Sequence, residues 1–204
     1  MKNKLRALAI VAALLGSGAW AAVREKVVVC LAPGDQWEAV NPAIPIVDKL
    51  FLPAGLTLEW RGEGRLCPEH SERIIRISLS THTDPASHPG ALAYALPYEG
   101  EHIVVFYDRL QRLYFGSVTT LLAHVITHEM THILQGISRH SEKGIMKAQW
   151  DREDYAGMKL QLLTFTETDL RLIRVGVVGY KDRRTRSTQV ASVFIGLDTP
   201  ITQD

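Results

Sequence analysis

Two histidines four residues apart, with a glutamate directly after the first, are the part of this sequence best suited to chemistry: His128-Glu129-Met130-Thr131-His132. On a helix, positions i and i+4 differ by about 40° in azimuth and about 6 Å in height. Two imidazoles so placed converge on one point in front of the helix, where each can bond a zinc ion at about 2.0–2.1 Å. Glu129 projects to the side of that point. It is placed to take a proton from a metal-activated water rather than to bind the metal itself. Zinc lowers the pKa of such a water toward ~7 and polarises a carbonyl, so the three side chains read as machinery for peptide hydrolysis, with Glu129 as general base and then acid.

A catalytic zinc needs three protein ligands and one open position. His124 precedes His128 by one turn, but it lies about 12 Å along the axis from His132, so those two cannot share an ion. It is expected simply on the helix face. His140 would also lie about 12 Å from His132 on a continued helix. It reaches the metal only if the helix ends and the chain turns back, which Gly136 permits through a positive φ. Glu153 and Asp154 are its rivals, since a carboxylate from a following helix would complete the site equally well. Their plainer role is a solvated acidic first turn.

The elements that must position these residues are legible in outline. Glu25–Ala32, Leu56–Gly62, Arg73–Ser80 and His102–Asp108 are β-branched or alternating apolar runs, hence strands. Ala91–Pro97 is short, small and bounded by Gly90 and Pro97, which suits an edge strand. Ile46, Val47, Leu50 and Phe51 form a helical stripe, stopped by Pro53 and Gly55. The long helix runs from Ser117 to about Gln135. A last helix opens at Thr166 with Asp169 three residues on, a capping pattern. Strands first and helices later give an α+β class: a twisted mixed sheet with an antiparallel edge strand, a long active-site helix and a C-terminal helix.

Lys2, Lys4 and Arg6, the apolar run Ala7–Leu15 and the triplet Ala19-Trp20-Ala21 read as a secretory signal peptide over residues 1–21, cleaved near Ala21–Ala22. The apolar run is too short for a bilayer-spanning helix of about 20 residues. Export to periplasm or medium follows, without stable membrane association after cleavage, and residues 22–204 suit one domain. Cys30 and Cys67, the only cysteines, are expected to form a disulfide in that compartment. With 23 basic against 22 acidic side chains, composition gives no case for nucleic acid binding. The one basic run, residues 181–186, reads as a solvated tail.

Taken together, His128-Glu129-Met130-Thr131-His132, Gly136, His140, Ser141 and Gly144-Ile145-Met146 resemble the metzincin pattern HExxHxxGxxH with its methionine turn, most closely that of the matrixins. The resemblance implies a zincin fold, one catalytic zinc held by His128, His132 and His140, and Met146 beneath the metal. Seven residues separate His132 from His140 where the family has five, one extra on each side of the glycine, so the turn must be wider. No tyrosine closely follows Met146, and Tyr155 is too distant to carry over the accessory tyrosine of some branches. The segment from His88 to Asp108 is similar to the matrixin region whose edge strand pairs with extended substrate. Leu92, Ala93, Tyr94 and Ala95 would take that role. His82, Asp84 and His102 fall near a structural zinc site of that family, but Tyr94 stands where a histidine is expected, so a second zinc is not anticipated.

Two functions follow. One is an exported zinc endopeptidase acting on a peptide or protein. The other is a zincin-shaped binding or structural zinc protein. Glu129 argues against the second, because a structural site gains nothing from a carboxylate beside its ligands.

Overall fold

A computed structural model describes residues 24–32, 34–62, 67, 74–95, 101–113 and 117–179. The expected signal peptide, the basic run 181–186 and the tail after 180 lie outside the described residues, as does the end of the expected edge strand at 96–97.

The β-branched run of β1 (Glu25–Ala32) forms the centre of one side of a five-stranded sheet. It pairs in parallel with β2 (Leu56–Gly62) and β3 (Ile74–Ser80), and β3 pairs in parallel with β5 (His102–Phe106). The short β4 (Ala93–Ala95) closes the edge antiparallel to β5, in the order β2-β1-β3-β5-β4. Parallel strands are rich in β-branched and apolar residues, and one face of each enters the main core. Val27, Val29, Leu31, Ile75, Ile77, Ile103 and Val105 are accordingly buried.

Helices α1 (Trp37–Val40) and α2 (Ile44–Phe51) follow β1, with Val47, Leu50 and Phe51 buried. The stop foreseen at Gly55 is real: its φ is 77°. β5 ends sooner than its sequence suggested. Its final Tyr-Asp turns into a short helix, α3 (Tyr107–Arg112), anchored through buried Tyr107 and Leu110. With only these two apolar anchors, three residues apart, it carries too little periodicity to announce itself. The edge strand starts later than expected. Leu92 lies before it, its carbonyl accepting the Phe106 N–H at 2.8 Å.

Helix α4 (Val118–Gln135) is the spine. Ser117 caps it, and Leu122, Ile126 and Met130 are buried against the sheet and α2. Its C-terminus is closed by Gly136 at φ 68°, whose N–H donates to the carbonyls of His132 (2.9 Å) and Ile133 (3.1 Å). The helix whose acidic first turn the sequence suggested, α5 (Arg152–Leu160), opens on a reciprocal capping box between Asp151 and Asp154. The last helix, α6, covers residues 167–179. Thr166 and Asp169 cap it reciprocally as expected: the Thr166 hydroxyl accepts the Asp169 N–H, and the Asp169 carboxylate accepts the Thr166 N–H. Cys30 and Cys67 form the anticipated disulfide, with Cα atoms 5.9 Å apart. Among the described residues no helix is long and apolar enough to cross a membrane.

Between α4 and α5 the chain makes a tight turn. Ser141 N–H donates to Met146 O (2.7 Å) and Lys147 N–H to Gly144 O (3.2 Å). Gly144 has φ 77°, and a Cβ there would sit 2.2 Å from the backbone oxygen of Thr164. Both the positive φ and the contact exclude a side chain. Gly144→Ala should therefore destabilise the protein by roughly 2–4 kcal/mol, as strain and overpacking combine. Urea denaturation of the metal-free protein measures it.

Candidate metal centre

Helix α4 presents His128 and His132 on one face, and Gly136 sends the chain back so that His140 faces them. Ring centroids are 4.8 Å apart for His128–His132, 4.9 Å for His132–His140 and 5.3 Å for His128–His140. One ligand atom from each ring lies within 4.8 Å of the others, and this is the one such metal-ready group among the described residues. The wider turn is thus compatible with a three-histidine cluster.

Each helix histidine is oriented by a backbone carbonyl. His128 Nδ1 lies 2.8 Å from Ile145 O, and His132 Nδ1 lies 3.1 Å from Ile137 O. A carbonyl only accepts, so each Nδ1 carries the hydrogen and each Nε2 of a neutral ring is a bare lone pair. Those two Nε2 atoms face each other at 3.1 Å. Neither has a proton to share, so the contact is repulsive unless a cation stands in front of both. Tetrahedral Zn–N bonds of about 2.0–2.1 Å place nitrogens roughly 3.3 Å apart, close to what this pair shows. The residues therefore fit a zinc ion.

Electrostatics agree. Burial, with the neighbouring imidazoles His132 and His140, pushes His128 down to about 4. Burial likewise lowers His132, and burial with the Arg139 charge lowers His140. Neutral imidazoles are what a metal requires. Burial pushes the Glu129 carboxyl the other way, up to about 7, against the Ala95 backbone N–H that favours its ionised form.

Met146 and Ile145 are fully buried in a small cluster with Leu50, and Ile145 supplies the carbonyl that orients His128. Beside His140, Arg139 and Ser141 both donate to Asp169 Oδ1, at 2.9 and 2.6 Å. Asp169 has no exposed side-chain surface. Burial alone would raise its pKa, but hydrogen bonds from Ser141, Thr166 and Arg139 outweigh it and hold the carboxyl below the usual range.

The three histidines and Glu129 line a cleft of about 510 Å³ with Leu92, Ala93, Tyr94 and Ala95 along one wall. Trp150 stands edge-on to His128 at 5.7 Å. Tyr155, set aside on sequence distance, also lines the cleft and meets Trp150 edge-on at 6.4 Å. The rival ligands are elsewhere. Asp154 caps α5 and accepts from Lys147 Nζ at 2.6 Å, and Glu153 is exposed. His82 bonds the Thr81 hydroxyl, Asp84 caps the Ala86 N–H, and His102 is exposed. The orienting carbonyls of Ile137 and Ile145 were invisible in sequence, because a carbonyl belongs to every residue type. Asp169 was foreseen only as a cap.

No protein-family model and no curated protein sequence matches this chain. Among solved structures, archaemetzincin from Methanopyrus kandleri is similar, with TM-score 0.52 and 12% identity over 80% of this chain and 99% of that one. At that identity the likeness speaks for the fold. The chain has a zincin fold of metzincin type, and the likeness does not single out the matrixin branch.

His124 is not part of the cluster. It is fully buried, its Nδ1–H donating to Thr120 O (2.8 Å) and its Nε2 accepting the Leu163 N–H (3.0 Å). Burial lowers its pKa below the ordinary 6.5. The unfolded chain therefore binds this proton first as pH falls, so His124 contributes its full stability above about 6.5 and loses it below. The stability gap between wild type and His124→Gln, measured by denaturation of the metal-free proteins, should narrow from pH 7.5 to pH 5.5.

Proposed function

We propose that this chain is an exported zinc endopeptidase. The observation that carries the reading is the pair of buried imidazole Nε2 lone pairs held 3.1 Å apart, with His140 closing the third side. A carboxylate stands beside them in an open cleft. A metal cation relieves such a pair, and three neutral nitrogens with an accessible fourth side match a catalytic zinc set rather than a closed structural one.

A zinc ion held there supplies Lewis acidity, making water a stronger acid and a carbonyl a better electrophile. The rest falls to the protein. His128 and His132, fixed by the Ile145 and Ile137 carbonyls, bind through Nε2, and His140 completes the set. Glu129 accepts a proton from the attacking water on its carboxylate and returns it to the departing amine. Its site, dry enough to raise its pKa, suits both halves of that transfer. The peptide lies along β4 as an added antiparallel strand, with the backbone of Leu92 to Ala95 supplying hydrogen bonds and Ala95 also touching Glu129. Small side chains at Ala93 and Ala95 leave the edge open.

The pattern over residues 128–146 supports a matrixin-like branch, with Met146 as the apolar floor. Export is supported by the Cys30–Cys67 disulfide, which belongs to oxidising compartments. The proposed partners are peptides or proteins, with neither nucleic acid nor a stable membrane contact required.

Glu129→Gln should keep one zinc per chain while kcat/KM on a peptide-library substrate falls by roughly 10²–10⁴-fold. Cleavage unchanged in that variant would overturn the assignment of Glu129. A zinc-loaded wild type that cleaves no member of a diverse library would instead favour a zincin-shaped binding protein. His140→Ala should lose zinc in a chelator competition that Glu153→Ala withstands. The opposite ranking would make the acidic helix the ligand source.

A further inference from the structure

The loop that feeds the edge strand is gathered around one side chain. Arg109, in α3, donates from Nη1 to the carbonyls of His88 (2.7 Å) and Ala91 (2.7 Å), and from Nη2 to those of Ser87 (2.6 Å) and Asp84 (3.3 Å). All four terminal N–H groups of the guanidinium are thereby used. Its carbon lies 4.4 Å from the centroid of the Phe106 ring, which covers the plane of the cation. Four carbonyl oxygens drawn toward one place repel one another unless a cation stands between them. The segment 84–91 also holds His88 at φ 48° and Gly90 at φ 79°, conformations that cost energy or need glycine.

We propose that Arg109 is the positioning residue of the cleft: a built-in cation that fixes the height and register of the substrate-binding edge. The proposal rests on the reading of β4 as the substrate strand. The argument is geometric. Ala91 and Leu92 line the cleft and lead directly into β4. β4 itself has three residues and, among the described residues, one strand partner, β5, so strand pairing alone secures little. Arg109 follows β5 by three residues, on a helix anchored through buried Tyr107 and Leu110. The guanidinium therefore ties the entry loop to the same rigid unit that pairs with β4. Asp108 adds a lesser tie, accepting the Thr83 hydroxyl at 2.7 Å. A lysine at 109 has one nitrogen and no planar fork, so it cannot serve carbonyls on two sides at once.

The effect on a substrate depends on its length. An extended peptide uses the whole edge, whereas a short one feels mainly the metal and Glu129. In the zinc-loaded full chain, Arg109→Ala should lower kcat/KM for an extended peptide by roughly 10–100-fold, chiefly through KM, while a dipeptide-length substrate changes by less than about threefold. Arg109→Lys should behave like Arg109→Ala. Millimolar guanidinium ion should restore part of the loss in Arg109→Ala and nothing in wild type. Zinc stoichiometry should be unchanged. Hydrogen exchange should accelerate in residues 84–95 and not in α4. Equal losses on both substrates, or unchanged exchange in 84–95, would overturn the proposal. If wild type cleaves neither substrate, the peptidase reading falls, and the exchange experiment still decides whether Arg109 fixes the edge.

Discussion

Everything in this molecule's chemistry depends on two imidazole lone pairs being forced to face each other. Neutral rings avoid that arrangement when free to rotate. Here each is denied rotation by a backbone carbonyl on its far nitrogen, 2.8 Å from His128 and 3.1 Å from His132. The carbonyls come from outside the helix, and this is what makes the arrangement stiff. One belongs to Ile145 in the turn below, the other to Ile137 immediately past the helix end. The left-handed residue Gly136 therefore has three consequences at once. It satisfies the last carbonyls of α4, delivers the Ile137 carbonyl to His132, and reverses the chain so that His140 can approach.

The return of His140 needs its own support, since its ring is exposed and its loop is longer than in the matrixin pattern. That support is Asp169. A carboxylate with no exposed surface is costly unless all its lone pairs are met. Asp169 meets them by joining two distant segments: Thr166 at the start of α6, and Arg139 and Ser141 on either side of His140. Removing a partner from a carboxylate so buried costs more than breaking a surface ion pair, which is worth about 0–1 kcal/mol. The last helix is thus bolted to the third histidine by one buried charge. The close approach of Gly176 to Leu134, where a Cβ would lie 2.1 Å from the Leu134 carbonyl, keeps α6 against α4.

What could be read in the sequence was what periodicity and residue type encode. The parallel strands announced themselves through β-branched runs, the spine helix through its apolar stripe and terminal glycine, and the candidate ligands through their chemistry. Helix α3 escaped, and α5 was legible only as an acidic first turn. The first has two buried residues and the second one, too few for a helical stripe to stand out. The edge strand was started two residues too early, because small apolar residues look alike inside and outside a ladder. Leu92 accepts one hydrogen bond from Phe106 N–H yet lies just before the strand begins. Tyr155 was set aside by counting residues, although α5 carries it back over the cleft. Arg109 offered no signal at all, since its partners are four carbonyls and only the folded loop brings them together.

The pKa pattern of the site says why it is built for a divalent ion rather than for proton chemistry alone. Burial pushes the histidines down and Glu129 up, so the pocket disfavours charge of either sign. An acid–base pair of one imidazolium and one carboxylate would be opposed twice over. A divalent cation resolves both oppositions. It replaces the protons the imidazoles decline to hold, and its field favours the carboxylate that burial resists. The same dryness that makes the metal-free arrangement unfavourable strengthens the metal's attraction for both groups. Neighbouring structure sets how dry the place is: Trp150 edge-on to His128, and β4 along the wall. The polar machinery is small, and what favours a metal cation there is the convergence of three neutral imidazole nitrogens, not the apolar surroundings.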